Sequence, residues 1–487
     1  MTTTAPPSLL AHPDVPRRQR WPLRLWGVLA VLSLVLFLDG LDVSMVGVAL
    51  PSIGTELHLA TSSLQWIVSG YVLGYGGLLL LGGRTADLLG RRRVFLIALA
   101  VFAVASLLGG LVDSGPLLIA TRFIKGVSAA FTAPTGLSII TTTFAEGRMR
   151  NKALSIYTVF GASGYSSGLI FGGLMTGIGW RWTFLMPVPI ALIALAAGYV
   201  LLPRGMPAAS GGHDVLGALT STGAMLLLVY SLVSAPSRGW TSPATLGLFA
   251  AVIVLLVAFV LVERRVRHPL IRLGILRKGT LVRANLAIVA LFGSYTAFQF
   301  IITLYLQDVL GWAPLKMALA LLPTGLLVAL SAPFAGTMID RYGTARFIVG
   351  GLAAMSVGYL LFLRIDTHPV YVVAILPTAI LLGVGFALGF PSINVQATAG
   401  VSDDEQGLAA GLVQTAAQVG AALVLAITTA IIAGDGRPAR SAADVLADYR
   451  PGLVFATFVA VGGLLMAVVP LAFRRRREPV PVLEEAA

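Results

Sequence analysis

The chain is dominated by long apolar runs that alternate with short polar segments. The runs have about 20 residues or more, enough to cross roughly 30 Å of hydrocarbon as helices that rise about 1.5 Å per residue. A spanning strand needs only about ten residues, so the runs predict helices and not a barrel. Fourteen spans are predicted, at 26–50, 62–82, 94–112, 117–144, 153–176, 182–202, 214–234, 243–262, 284–306, 316–338, 346–363, 370–398, 407–433 and 452–473.

Composition supports an all-α integral membrane protein. Hydrophobic residues make up 57% of the chain and charged residues 11%, against about 25% charged in a typical soluble domain. The chain contains no Cys, and its five His all lie outside the apolar runs. Disulfides, thiolate metal sites and His-based chemistry are therefore not expected, and we expect neither a metal nor a cofactor.

Two catalytic patterns were tested and rejected. The phosphate-binding pattern Gly-x-x-x-x-Gly-Lys-[Ser/Thr] does not occur, which excludes a nucleotide-driven pump. Gly164-Tyr-Ser166-Ser-Gly168 matches the nucleophile elbow, but no strand–turn–helix context surrounds it and no His lies in a span. We therefore expect a protein that is not an enzyme.

Positive charge is distributed unevenly between the two sides of the predicted bundle. Of 34 Lys and Arg, 25 lie at the termini and in the loops on their side, and seven lie on the opposite side. Because cytoplasmic loops carry the excess of Lys and Arg, both termini are predicted to be cytoplasmic. The net charge of +13 is thus a topology signal and does not indicate nucleic acid. Arg greatly outnumbers Lys, which with the Ala, Leu and Gly content indicates a bacterial inner membrane.

An internal repeat indicates two related halves in parallel orientation. Four residues of an early loop recur 253 positions later: Gly83, Asp87, Gly90 and Arg93 match Gly336, Asp340, Gly343 and Arg346. Six spans per half leave two spans over, and these lie between the halves. The predicted segments are a disordered N-terminus 1–22, a first half 23–202, two inserted helices 203–265, a cytoplasmic connector 266–283, a second half 284–473 and a tail 474–487.

Charged residues deep within the spans are few, and they are the main functional signal. The acids are Asp39 and Asp42, and the bases are Arg122 and Lys125. A charge at mid-membrane costs at least about 2.5–3.5 kcal/mol, so these residues need partners or a water-filled cavity. Each pair is spaced i, i+3, which places both members on one helix face.

Four motifs resemble the major facilitator superfamily and, within it, the fourteen-helix drug/proton antiporters. Segment 83–93 resembles the loop signature between helices 2 and 3, and 42–51 the first-helix signature. Segment 122–126 resembles the fourth-helix proton motif. The fifth-helix antiporter motif is resembled by Gly164, Gly168, Gly172 and Gly173, followed by Trp180-Arg-Trp182. The chain departs from the family pattern at Leu169, where Pro is usual, at Lys125, where Gln is common, and at Gly47, where Asn is frequent.

The resemblance implies that helices 1 and 4 are neighbours. At about 1.5 Å per residue, the four charged residues then lie at similar depths, and we expect Asp42 to face Arg122 and Asp39 to face Lys125. Burial disfavours a charged carboxylate and a nearby cation favours it, so small changes in access could move a proton on or off. The alternative is a static pair that only fixes helix packing.

The resemblance also assigns a conformational role to loops and glycines. In the family, the loop signature favours one facing state, which implies a latch at Gly83, Asp87, Gly90, Arg91, Arg93, Asp340 and Arg346. Loop charges can instead serve topology alone. The helix-5 glycines recur every four residues and allow another helix to approach and slide, or simply to pack.

Aromatic and amide side chains on helices that line the cavity in relatives are the candidate substrate contacts. They are Tyr71, Tyr75, Tyr157, Tyr165, Phe292, Tyr295, Gln299, Asn394 and Gln414. The predicted function is a proton-driven antiporter, probably recognisable by its substrate class, that exports lipophilic or amphiphilic drugs as a monomer. The alternatives are export of one specific endogenous metabolite or lipid, and a non-transporting membrane scaffold or sensor.

The predicted topology is directly testable because the chain has no Cys. A single Cys at Ser8→Cys is expected to react with a membrane-impermeant maleimide only after intact cells are permeabilised. A single Cys at Thr367→Cys is expected to react in intact cells. The reverse pattern would invert the predicted orientation.

Overall fold

The computed structural model describes residues 21–145, 148–204, 214–266, 273–401, 406–432 and 441–475. Most of the predicted N-terminal segment, of the C-terminal tail and part of the connector lie outside these residues. Within them the chain forms helices and connecting segments, as the apolar runs predict. The helices are α1 Leu23–Glu56, α2 Thr61–Leu89, α3 Arg91–Leu111, α4 Gly115–Thr143, α5 Arg148–Ile178, α6 Trp182–Leu185, α7 Pro187–Leu201, α8 Val215–Arg238, α9 Pro243–Arg265, α10 Gly279–Leu304, α11 Pro314–Tyr342, α12 Thr344–Phe362, α13 Tyr371–Ala374, α14 Leu376–Thr398, α15 Gln406–Ile432 and α16 Ala442–Arg475.

Twelve helical segments of the described chain are long and apolar enough to cross a bilayer. The expected number of fourteen spans is therefore not confirmed. The two predicted spans outside the twelve are α2 and α5, which have 29 and 31 residues. Both lie among other helices: α2 packs against α4, α8 and α15, and α5 packs against α1 and α11. A helix covered by protein does not need a uniformly apolar surface, which is consistent with the Gly, Ser and Tyr content of α5.

The helices pack in the same order in two parts of the chain. The pairs α1–α5, α2–α4 and α3–α4 have counterparts in α10–α15, α11–α14 and α12–α14. The pair α3–α7 likewise corresponds to α12–α16. This repeated packing follows the same chain order in both parts, as a parallel repeat requires.

The helices between the two halves differ from each other in position. α8 packs against α2 of the first half and α15 of the second, whereas α9 packs mainly against α8. Leu226 of α8 lies directly over Gly77 of α2, and Trp66 packs its ring 5.8 Å from that of Tyr230. The expectation that both inserted helices are peripheral therefore holds for α9 but not for α8. Hydropathy marks a helix as membrane-spanning without saying which neighbours it covers.

The halves meet along two seams, α5–α11 and α2–α15, and the polar contacts across them are unevenly placed. We call the end of the bundle that carries Arg91 and Arg341 the arginine-rich end. Ser166 donates to the carbonyl of Gly325 at mid-bundle (2.8 Å). Nearer the opposite end, Thr429 donates to Gln65 (2.6 Å) and Gln307 donates to the carbonyl of Val48 (2.8 Å).

Glycines allow α1 and α5 to approach at backbone distance. A Cβ added at Gly164 would lie 2.9 Å from the Cα of Phe37, and one added at Gly172 would lie 2.9 Å from the Cα of Met45. Gly168 faces the backbone of Leu41 in the same way. Gly173 turns to the other neighbour, where an added Cβ would lie 2.7 Å from the Cα of Leu315 on α11. The regular spacing thus produces a packing face toward α1, while the adjacent Gly173 serves the seam.

Gly164→Ala is expected to lower the thermal stability of the purified protein in detergent. The added methyl group meets backbone atoms of α1, which cannot move aside as a side chain would, and such overpacking costs about 1–3 kcal/mol. Gly177→Ala on the same helix is the matched control, because a Cβ there meets nothing within 4 Å. Equal melting temperatures for the two variants would show that α1 and α5 tolerate separation.

Candidate functional site

A cluster of buried charges joins α1 to α4. Asp42 forms ion pairs with both Arg122 and Lys125, one through each carboxylate oxygen. All three side chains are shielded from water, and Asp42 has no exposed surface. The expected pairing of Asp42 with Arg122 is therefore present in the structure.

The expected pair between Asp39 and Lys125 is not formed. Lys125 instead reaches Asp42 and also donates to the hydroxyl of Ser106 (3.0 Å). Asp39 accepts a long hydrogen bond from Thr132 (3.4 Å) and keeps 8% of its surface exposed. Sequence spacing places Arg122 and Lys125 on one face, but it does not show that both side chains converge on the same carboxylate.

Aromatic rings enclose the two cations. The guanidinium of Arg122 lies 4.8 Å from the ring centre of Tyr71, and its Nε donates to the carbonyl of Ile67 (3.2 Å). The ammonium of Lys125 lies 4.7 Å from the ring of Phe102 and 5.3 Å from that of Phe184. Ring faces attract cations where water is excluded, so the rings add to the stabilisation that Asp42 provides.

Asp39 faces a different environment, in which tyrosines predominate. Tyr71, Tyr75 and Tyr157 all lie close enough to interact electrostatically with it. The rings of Tyr71 and Tyr75 are 5.9 Å apart, and the hydroxyl of Tyr157 donates to the carbonyl of Ala133 (3.4 Å). The structure thus brings three of the predicted substrate residues around the second carboxylate.

A second aromatic group lies between the halves. Tyr295 donates to the hydroxyl of Tyr165 across the halves (3.1 Å). Its ring lies 5.1 Å from that of Phe386, which also packs 5.7 Å from Phe292 and stacks on Phe390. Sequence reasoning missed Phe386 and Phe390, although their i, i+4 spacing places both on one face of α14.

The predicted amides contribute less to these two aromatic groups. Asn394 donates to the carbonyl of Phe390 on its own helix (2.8 Å). Gln299 and Gln414 are partly buried on α10 and α15.

The loop motif has the same backbone shape in both halves. Gly90 and Gly343 each separate two helices with positive φ, 92° and 81°, which side chains rarely adopt. Gly83 and Gly336 have no such constraint and no close contact at the Cβ position.

The charged residues of the loop motif are arranged less alike. Arg91 is half-buried, and Arg93, Asp340 and Arg346 are exposed. The Asp87 side chain lies outside the described part of the chain. Among the described residues, no ion pair joins Asp340 to Arg346, so that part of the expected latch is not formed here.

A clasp at the end opposite the arginine-rich end was also missed. Arg181 forms ion pairs with Glu56 and Asp113, and the indole of Trp180 donates to Glu56 (2.8 Å). These contacts tie the segment after α5 to the ends of α1 and α3. The Trp180-Arg-Trp182 motif was the available signal, and its role here is to join helix ends.

Asp42→Asn is expected to destabilise the protein by about 3–5 kcal/mol, because two buried cations lose their only carboxylate. Adding Lys125→Met removes one of those cations at similar volume and is expected to restore most of the loss. Thermal unfolding of the single and double variants in detergent measures this. Asp366→Asn, at an exposed position, is the matched control. A double variant no more stable than Asp42→Asn would contradict the pairing with Lys125.

Comparisons with known proteins place the chain in a family. The model of the Major Facilitator Superfamily matches residues 32–425 and 286–486. The Puromycin resistance protein pur8 of Streptomyces alboniger is 37% identical over 92% of this chain and 90% of its own. The Cephamycin export protein CmcT of Amycolatopsis lactamdurans is 34% identical over 90% and 91%.

A third relative and a solved structure agree with this placement. The Tetracenomycin C resistance and export protein of Streptomyces glaucescens is 32% identical over 88% of this chain and 79% of its own. The crystal structure of the POT family transporter PepTSo shares the fold, with a TM-score of 0.66 at 17% identity over 93% of this chain and 99% of that one. The chain is a multi-pass membrane protein and belongs to the Major Facilitator Superfamily.

Proposed function

We propose that the protein exports amphiphilic or lipophilic drugs across the bacterial inner membrane in exchange for protons. Relatives named for antibiotic resistance or export support the cargo class. The single observation that carries the proton part is the unequal partnering of two buried carboxylates. Asp42 is opposed by two cations, whereas Asp39 has a hydroxyl partner and a small exposed area.

Charge balance makes Asp39 the residue that exchanges the proton. Protonating Asp42 would leave Arg122 and Lys125 facing each other without an anion in a water-excluded site, which is strongly unfavourable. Protonating Asp39 removes a charge that only a hydroxyl opposes directly. Asp42 therefore acts as the fixed anchor of the cluster, and Asp39 as the proton carrier.

The aromatic residues between the halves supply the substrate surface. Tyr165, Tyr295, Phe292 and Phe386 present ring faces and two hydroxyls at mid-bundle. Apolar surfaces with a few polar groups suit drug-sized amphiphiles. Tyr165 and Tyr295 come from different halves, so a substrate bound there responds to their relative movement.

The seam contacts set the facing state. The halves hold together at mid-bundle and at the end of Gln65 and Thr429, so the cavity opens toward the arginine-rich end. With both termini cytoplasmic, this is the state that loads substrate from inside. Protonation of Asp39 changes the charge of the α1–α4 cluster and biases the bundle between facing states.

Asp39→Asn is expected to abolish drug-dependent proton movement while drug still equilibrates across the bilayer, because Asn keeps the polar contact but cannot carry the proton. Purified protein in liposomes with an internal pH dye and an acidic interior reports the proton flux. Drug-dependent proton efflux should occur with the native protein and with Asp366→Asn. Full proton coupling in Asp39→Asn would exclude this residue as the carrier.

Export of one specific metabolite is a second candidate, because three relatives carry the name of a single antibiotic. A panel of chemically unrelated drugs in the same liposomes separates the two functions. Proton flux driven by several of them supports multidrug export, and flux with one alone supports the specific exporter. Flux with none of them would favour the non-transporting scaffold or sensor.

A further inference from the structure

The two seams between the halves differ in how they meet the bilayer. α8 packs on both α2 and α15 and so lies along the α2–α15 seam. Its packed face is continuous along its length, through Ala218, Ser221, Ala224 and Val229. The α2–α15 seam is thereby closed to lipid by a helix that belongs to neither half.

The α5–α11 seam has no such cover, and α11 changes character at its midpoint. Up to Gly325 the helix is well packed, with Ser166 and Gly173 of α5 against its backbone. Beyond Gly325, Ile339 is the one buried residue among those the structure describes in α11. The second half of the helix therefore leaves its neighbours as it approaches the arginine-rich end.

The exposed residues on this stretch of α11 are apolar and lie on several faces of the helix. They are Leu326, Leu330, Phe334 and Met338, and Phe160 of α5 is exposed at the same level. Side chains exposed on more than one face of a helix cannot all be covered by one neighbour. In a membrane, apolar side chains of this kind are in contact with lipid at little cost.

We infer that the α5–α11 seam is a lateral portal through which bilayer-dissolved apolar substrates reach the cavity from the leaflet at the arginine-rich end. The inference rests on the proposed export function and adds the route and the physical state of the substrate. Lipophilic molecules concentrate in the leaflet because their apolar surface leaves water. Access through a lined seam spares them a return to water before they reach Tyr165 and Tyr295.

The test measures the rate of access separately from affinity. A Cys at Leu330→Cys, in a chain without native Cys, is modified with N-cyclohexylmaleimide in lipid nanodiscs. Binding of Hoechst 33342 is then followed in a stopped-flow instrument by energy transfer from the protein's tryptophans. A plug in a portal slows association and dissociation equally, so both rates should fall about tenfold while Kd stays unchanged.

Val254→Cys on α9, modified in the same way, is the matched control. Val254 is 66% exposed and Leu330 is 68% exposed, but α9 borders no seam between the halves. The control adduct should leave both rates unchanged. Unchanged rates with the Leu330 adduct would overturn the portal, and a changed Kd with an unchanged association rate would assign Leu330 to the binding surface instead. If the unmodified protein did not bind Hoechst 33342, the proposed substrate class would fail before the portal.

Discussion

Two carboxylates and two cations are held out of water between α1 and α4, and the packing around them follows from that constraint. Arg122 and Lys125 are tolerated in the interior because Asp42 lies between them and because Tyr71, Phe102 and Phe184 present ring faces to them. The charged groups reach across from one helix to the other, so they set the register of α1 against α4. A shift of one residue along either helix would rotate the partners apart.

The other face of α1 packs on α5 by a different kind of contact. There Gly164, Gly168 and Gly172 bring the two backbones together, and Ser166 and Gly173 connect α5 onward to α11. The helix that carries Asp39 is thus joined by backbone contacts to the α5–α11 seam. This arrangement provides a physical path by which a change in charge at α1 reaches the place where the halves separate.

Sequence reasoning predicted the helical class, the repeated halves, the pairing of Asp42 with Arg122 and the membership of the family. These follow from run length, loop register and motif residues, which are local properties of the chain. The second partner of Asp42 was not predictable, because the choice between Asp39 and Asp42 depends on how the long Lys125 side chain reaches across from α4. The position of α8 was missed for a related reason: hydropathy identifies a lipid-compatible helix, but α8 contacts residues of α2 and α15 that are far apart in the sequence. The number of spans was also not confirmed, since α2 and α5 are covered by neighbouring helices.

Lys125 gives the cluster its charge balance. The family motif it resembles commonly has Gln at this position, and a Gln would leave Asp39 and Asp42 opposed by Arg122 alone. With Lys125 present, two acids face two bases, so the cluster is neutral when Asp39 is ionised and carries one positive charge when Asp39 is protonated. A cationic substrate near Tyr71 and Tyr75 would be repelled in the protonated state and tolerated in the ionised state. Proton and cation would therefore compete without sharing a ligand, and the competition would follow from the number of charges in the cluster.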